Sequence, residues 1–188
     1  MLAAHAWLLA SPLLPASDPA PTPTNPPALQ TRTVVLAPES LSITGLWVAR
    51  AFGIVWAVPN TAVGVLAGVV GMAFGARAEW SRRDFALVFH RWPWGPGGAI
   101  TFGNTILHTG ETLESECITY EHRAGRTQHP RIRLGDHERA HVYQYMVLGP
   151  LFLPLYFLFG GVSVRNRFER AADRYALRGS GWWPWPKP

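Results

Sequence analysis

The longest run of apolar positions extends from Leu46 to Gly75 and carries one charge, Arg50, near its start. That length exceeds the roughly 20 residues a helix needs to cross a bilayer. Pro59 withdraws a backbone donor near its centre, and Asn60 beside it is suited to cap a new helix. The pattern therefore predicts membrane-associated helices, as one span or as two short helices folded into a re-entrant hairpin. A buried pair of core helices is the soluble alternative. Arg77, Arg82 and Arg83 follow the run and predict a cytoplasmic location for that end.

Shorter patterns follow. Phe85 to His90, Ala99 to His108 and Glu116 to His122 are runs with β-branched or aromatic residues, the first two separated by the turn-forming Trp94-Gly95-Pro96-Gly97-Gly98. They predict a small antiparallel sheet. A helix is expected from Asp136, whose side chain can cap free N–H groups. From Tyr145 through Val162 the chain is again apolar and aromatic, broken by Pro150 and Pro154 and followed by Arg165, Arg167, Arg170 and Arg174. Towards the N-terminus, residues 1 to 16 are apolar but too short to span and lack a basic n-region, and residues 18 to 38 are Pro-rich. The expected organisation is an apolar segment and linker over 1–40, a single domain over 41–180 and a Trp/Pro tail over 181–188.

The chemistry-bearing motif is His137-Glu138-Arg139-Ala140-His141, which fits HExxH. Residues i and i+4 of a helix lie one turn apart, so both imidazoles reach one zinc ion, and Glu138 between them is placed as a general base for water. Glu169, 28 residues past His141, is available as a third ligand. It lies in Phe168-Glu169-Arg170-Ala171-Ala172-Asp173, good helix formers that put Glu169 and Asp173 on one face. Two His and one Glu leave a fourth zinc position open, as catalysis requires, whereas structural sites are usually closed and Cys-rich. Cys117 is the single cysteine. Asp173 is placed to accept the second ring N–H of a ligating His. Since both ligand helices must meet at one metal, the apolar stretch between them is expected to dip and return rather than cross.

Other aromatic and titratable residues have plainer readings. His90, His108, His122 and His129 have no partner three or four positions away and read as surface or packing residues. Tyr143 and Tyr145 read as helix packing, and Trp92, Trp94, Trp182, Trp183 and Trp185 as interfacial anchors or loop packing. The formal charge of +5 comes from sixteen Arg and one Lys among the basic residues. The arginines flank apolar segments instead of forming a stripe, which argues for anionic membrane lipid and against nucleic acid as the partner.

HExxH followed by Glu169-Arg170-Ala171-Ala172-Asp173, an ExxAD pattern, resembles the gluzincin metallopeptidases, and most closely their membrane-embedded branch that includes the CAAX prenyl endopeptidases and bacterial heat-shock membrane proteases. The resemblance covers residues 136 to 177. It implies His137, His141 and Glu169 as zinc ligands, Glu138 as general base and Asp173 as the residue behind a ligand. It also implies an edge strand that pairs with extended peptide substrate. Trp56-Ala57-Val58-Pro59-Asn60-Thr61, His137 to Tyr145 and Gly149 to Pro154 resemble an uncharacterised family of small bacterial membrane proteins over most of the chain. The expectation is thus an α+β, zincin-like domain at the bacterial inner membrane, its zinc site at the cytoplasmic interface, acting as a peptidase on peptide or protein substrates. The alternatives are a non-catalytic membrane protein with a structural or regulatory zinc site, and a scaffold without metal.

Overall fold

A computed structural model of the chain describes residues 43–95, 97–126, 128 and 131–185. The apolar segment at 1–16, the Pro-rich stretch at 18–38, His129 and the last three residues lie outside them. The long apolar run forms one uninterrupted helix, α1 (Ile43–Met72), with Pro59 inside it, and not the hairpin that Pro59-Asn60 suggested. An internal proline costs a helix about 3 kcal/mol when nothing offsets it. Here packing does: Asn60 is buried, and its amide donates to the Gly149 carbonyl at 2.9 Å. The residue suited to start a new helix is instead used to hold a distant one. The buried stripe of α1 falls at Gly53, Ala57, Asn60, Gly64, Gly68 and Gly71, the three-and-four spacing of one helical face.

A four-stranded sheet lies against that stripe, formed by β1 (Arg77–Ser81), β2 (Ala86–His90), β3 (Ala99–Phe102) and β4 (Thr105–His108) in the order β1-β2-β4-β3. The outer pairs are antiparallel but β2 and β4 are parallel, so the sheet is mixed and not antiparallel as expected. The stretch after His90 does not close a hairpin. It carries the chain outward to β3 at the edge, and the next strand returns between β3 and β2. The Ala99 to His108 run is itself a hairpin, with Phe102 opposite Thr105 across Gly103-Asn104 and Gly103 at φ 60°, as a two-residue primed turn requires.

Side chains alternate across the sheet. Phe89, Phe102 and Thr105 meet α1 closely: a Cβ on Gly64 would lie 2.8 Å from the Thr105 Cβ, and one on Gly68 would overlap the Phe89 ring. After the sheet come β5 (Glu116–Ile118), α2 (Tyr120–Arg123) and β6 (Arg131–Arg133), with β5 and β6 antiparallel. The expected Glu116 to His122 strand ends early because Thr119 caps α2, accepting from the His122 N–H at 3.0 Å. Strand β6 runs directly into α3 (Leu134–Leu148). Leu134 and Val142 of α3 pack on Val88 and Ile106, the sheet face away from α1. The C-terminal half of α1 covers one face of the sheet and the HExxH helix the other, while the N-terminal half of α1 packs directly on the HExxH helix, Gly53 against Met146.

Asp136 sits in the first turn of α3 rather than at its cap. There it pairs with Arg83, Arg133 and Arg139, and its negative charge suits the helix N-terminus. Arg133 also holds the buried Asp84 at 3.2 Å, so β6 and α3 are anchored to the loop before β2. Gly149, at φ 53°, ends α3. A 3₁₀ turn (Gly149–Leu151), α4 (Phe152–Leu158) and α5 (Arg167–Arg178) follow. The second apolar stretch thus turns back within the fold. Tyr145, Phe152, Tyr156 and Phe168 make one buried aromatic cluster that bolts α4 and α5 to α3. Asn166 fixes the return: its oxygen caps α5 through Phe168 N–H at 2.9 Å, and its amide donates to the carbonyls of Tyr156 and Gly161. The tail is not separate from this unit, since Trp185 packs edge-on against Phe159 and Phe168.

Candidate metal centre

Helix α3 supplies His137 and His141 one turn apart, and α5, returned antiparallel by the α4 turn, supplies Glu169. All three are buried, with ligand atoms converging within 4.8 Å. The edges of the triangle are 3.0 Å (His137 Nε2 to Glu169 Oε2), 3.2 Å (His137 Nε2 to His141 Nε2) and 3.5 Å (His141 Nε2 to Glu169 Oε2). A tetrahedral ion with bonds of about 2.0–2.2 Å separates its ligands by about 3.3–3.5 Å. The 3.5 Å edge matches that separation and the 3.0 and 3.2 Å edges are slightly short of it, so the triangle is close to the size of a ligand set.

The protons make the same point. Gln144 donates its amide to the carbonyls of Phe168 at 3.3 Å and Trp182 at 2.8 Å, which turns its oxygen to His141 Nδ1 at 2.8 Å. An amide oxygen only accepts, so His141 carries its proton on Nδ1 and presents a lone pair at Nε2. Asp173 Oδ1 accepts from His137 Nδ1 at 3.1 Å, and Asp173 Oδ2 accepts from the Glu121 backbone N–H at 3.1 Å. With a metal bound, His137 Nε2 would thereby present a lone pair too. Two nitrogen lone pairs and a carboxylate facing one point repel one another unless a metal ion or a proton lies between them. The second oxygen of Glu169 accepts the Tyr156 hydroxyl, leaving Oε2 alone to face the histidines.

Without a metal ion a proton takes its place, and His137 Nε2 then donates to Glu169. Burial alone would push His137 down, but the hydrogen bonds and charges of Asp173 and Glu169 outweigh it and hold its pKa well above the ordinary value. Burial works against charge on Glu169 as well, yet His141 and His137 keep its carboxyl far below the usual range. The Tyr156 hydroxyl is held protonated by burial and then by Glu169, so it is a donor under all working conditions.

Glu138 points to another partner. It is buried, takes no place in the converging triangle, and accepts the Thr101 hydroxyl at 2.6 Å. Alternation puts Thr101 on the α3 face of β3, the sheet edge. Tyr120 of α2 stacks on His137 with ring centroids 6.1 Å apart.

Every sequence-predicted site residue is in the cluster: His137, His141 and Glu169 at its centre, Asp173 behind His137 and Glu138 beside it. Cys117 stays outside it. Sequence reasoning missed Thr101, Tyr120, Gln144 and Tyr156. Gln144 was findable, since it lies three residues from His141 on the same helix; the others reach the site only through tertiary contacts. His90 and His108, read as packing residues, are buried and in contact through their Nδ1 atoms at 3.2 Å. No family model, curated protein or solved structure matches the chain.

Proposed function

We propose that the chain is a zinc-dependent, membrane-associated peptidase of gluzincin type. The observation that carries this reading is Glu138. A structural metal site needs ligands and their supports, and His137, His141, Glu169, Asp173 and Gln144 supply those. A further buried carboxylate beside the ligands, oriented by Thr101, has no work in such a site and has work in hydrolysis. The two imidazoles and one carboxylate suit zinc, which when bound would act as a Lewis acid towards a peptide carbonyl.

The chain's own residues account for the remaining steps. Glu138 takes the proton of the attacking water and returns it to the leaving amine. Thr101 donates to one Glu138 oxygen and leaves the other for that transfer. Strand β3, an edge of the sheet among the described residues, offers a place for an extended peptide, whose main chain would pair alongside Thr101. Tyr156 spends its one hydroxyl proton on Glu169 Oε1 and so holds that carboxylate in place.

One observation favours the second reading, a structural or regulatory zinc. The four residues His137, Glu138, His141 and Glu169 are only 4–6 % exposed, so substrate would have to part the cover over the site. Glu138→Gln separates the readings. It keeps size and hydrogen bonding, so a hydrolytic site should retain zinc while proteolysis of a casein-like or membrane-peptide substrate falls by about a hundredfold or more. Equal complementation in vivo by wild type and Glu138→Gln would decide for the structural site.

A further inference from the structure

Helix α1 leaves one face outside the fold. Opposite its buried stripe it shows Trp47, Val48, Phe52, Val55, Val63 and Leu66, each more than half exposed. The one charge in the helix, Arg50, is folded over the rings of Trp47 and Phe85 at 5.4 and 5.0 Å. A continuous apolar face of this length marks a membrane or a protein contact.

By length and composition alone α1 could cross a bilayer. Its packing argues otherwise. Contact with the fold runs from Arg50, over the Phe85 ring, through Gly53, against Met146 of α3, to Gly71, against Trp92. The 21 rises from Arg50 to Gly71 extend about 32 Å at 1.5 Å each, matching the roughly 30 Å of a hydrocarbon core. A crossing α1 would draw the sheet and α3 into the bilayer beside it. Among the described residues the sheet has two unpaired edges, β1 and β3, and β1 carries Arg77 and Glu79, 61 % and 70 % exposed. Open sheet edges facing lipid are not tolerated at that depth, because their N–H and C=O groups would lack partners. The stretches of α1 before Arg50 and after Gly71 are too short to span by themselves.

Charge indicates which surface lies underneath. Exposed apolar side chains also stand at Leu151, Phe157, Leu158 and Val162, on the turn that α1 holds through Asn60 and Gly149. They lead to Arg165 and Arg167, which with Arg170, Arg174, Trp183 and Trp185 line a pocket of about 540 Å³. Within this lining, Arg170 pairs with Glu121. An arginine and tryptophan rim beside an apolar face complements phospholipid headgroups of negative charge.

We propose that α1 lies flat in the interface of an anionic membrane, with its apolar face among the acyl chains and its glycine-bearing face under the sheet, and does not cross the bilayer. This rests on the membrane association proposed above and is independent of hydrolysis.

The test uses the full chain with Cys117→Ser, carrying either Thr44→Cys or Ala78→Cys, at exposed positions on opposite sides of the apolar run. Both are treated with a membrane-impermeant maleimide in right-side-out and inside-out vesicles. The expected result is that both react from the same side. Reaction from opposite sides, with the protein still in the membrane, overturns the flat arrangement and leaves membrane association standing. In flotation with phosphatidylcholine vesicles, adding phosphatidylglycerol should strengthen binding at least about fivefold. Phe52→Glu or Leu66→Glu should weaken it at least about tenfold with the fold retained. Recovery without detergent as a soluble monomer, or as a dimer that binds no vesicles, overturns both the arrangement and the membrane reading.

Discussion

Gln144 turns its oxygen towards His141 because its nitrogen is already committed to two carbonyls. The motif histidine therefore owes its tautomer to a residue outside the motif. Removing that support by Gln144→Ala should lower zinc affinity by about 10–100-fold while leaving one zinc per chain at saturation, measured by competition with a chromophoric chelator. Unchanged affinity would falsify the assignment of His141 Nε2 as a ligand atom. At the other end of β4, His108 carries a separate pH signature. Burial, then the neighbouring His90, push its pKa down to about 4, against a smaller upward pull from Glu111. The unfolded chain takes up this proton near pH 6.5 and the folded chain only near pH 4. The neutral imidazole's contribution is thus fully present above about pH 6.5 and is lost as pH falls towards about 4, on the order of 2 kcal/mol. Urea midpoints of wild type and His108→Gln should converge as pH is lowered through that window; parallel curves would show that His108 titrates normally.

Elements are positioned by small numbers of contacts. Asn166 caps α5 and ties it to the carbonyls that end α4. Asn166→Ala removes a cap worth about 1 kcal/mol and strands buried carbonyls worth about 1–3 kcal/mol more. The melting temperature should drop, and zinc affinity should drop with it because α5 carries Glu169. A fall in stability with metal affinity intact would show that α5 is held by the aromatic cluster alone. The sign of a Gly68→Ala substitution is equally informative. In an open helix alanine would stabilise by about 1 kcal/mol. Under the Phe89 ring the added methyl group has no room, so the change should destabilise by about 1–3 kcal/mol. A stabilised Gly68→Ala protein would place α1 away from the sheet.

For the molecule as a whole, the converging ligands join α3 to α5 across a loop of 27 residues. Zinc bound at a thousandfold excess over its dissociation constant stabilises the folded state by about 4 kcal/mol. Chelation should therefore lower the melting temperature of wild type and of Glu138→Gln alike, and scarcely that of His141→Ala. Equal melting curves of wild type with and without chelator would remove metal from the stability of this fold.

Much of the site was legible in the chain because its spacings are local. His137 and His141 share a helical face whatever surrounds them, and so do Glu169 and Asp173; the arginine-bordered apolar run likewise announces α1. Three features depended on long-range packing. Pro59 and Asn60 read locally as a break, but the bond from Asn60 to Gly149 and close contact with the sheet keep α1 in one piece. Strands with hairpin-like spacing read as antiparallel, yet β4 enters beside β2 because the Gly103-Asn104 turn folds β3 to the outside. Thr101 and Tyr156 carry no local signal at all. Each reaches Glu138 or Glu169 only once the sheet and α4 are folded. Helical periodicity is a property of neighbours along the chain, and it set the motif; which distant side chain completes each carboxylate is a property of neighbours in space, and only the tertiary structure decided it.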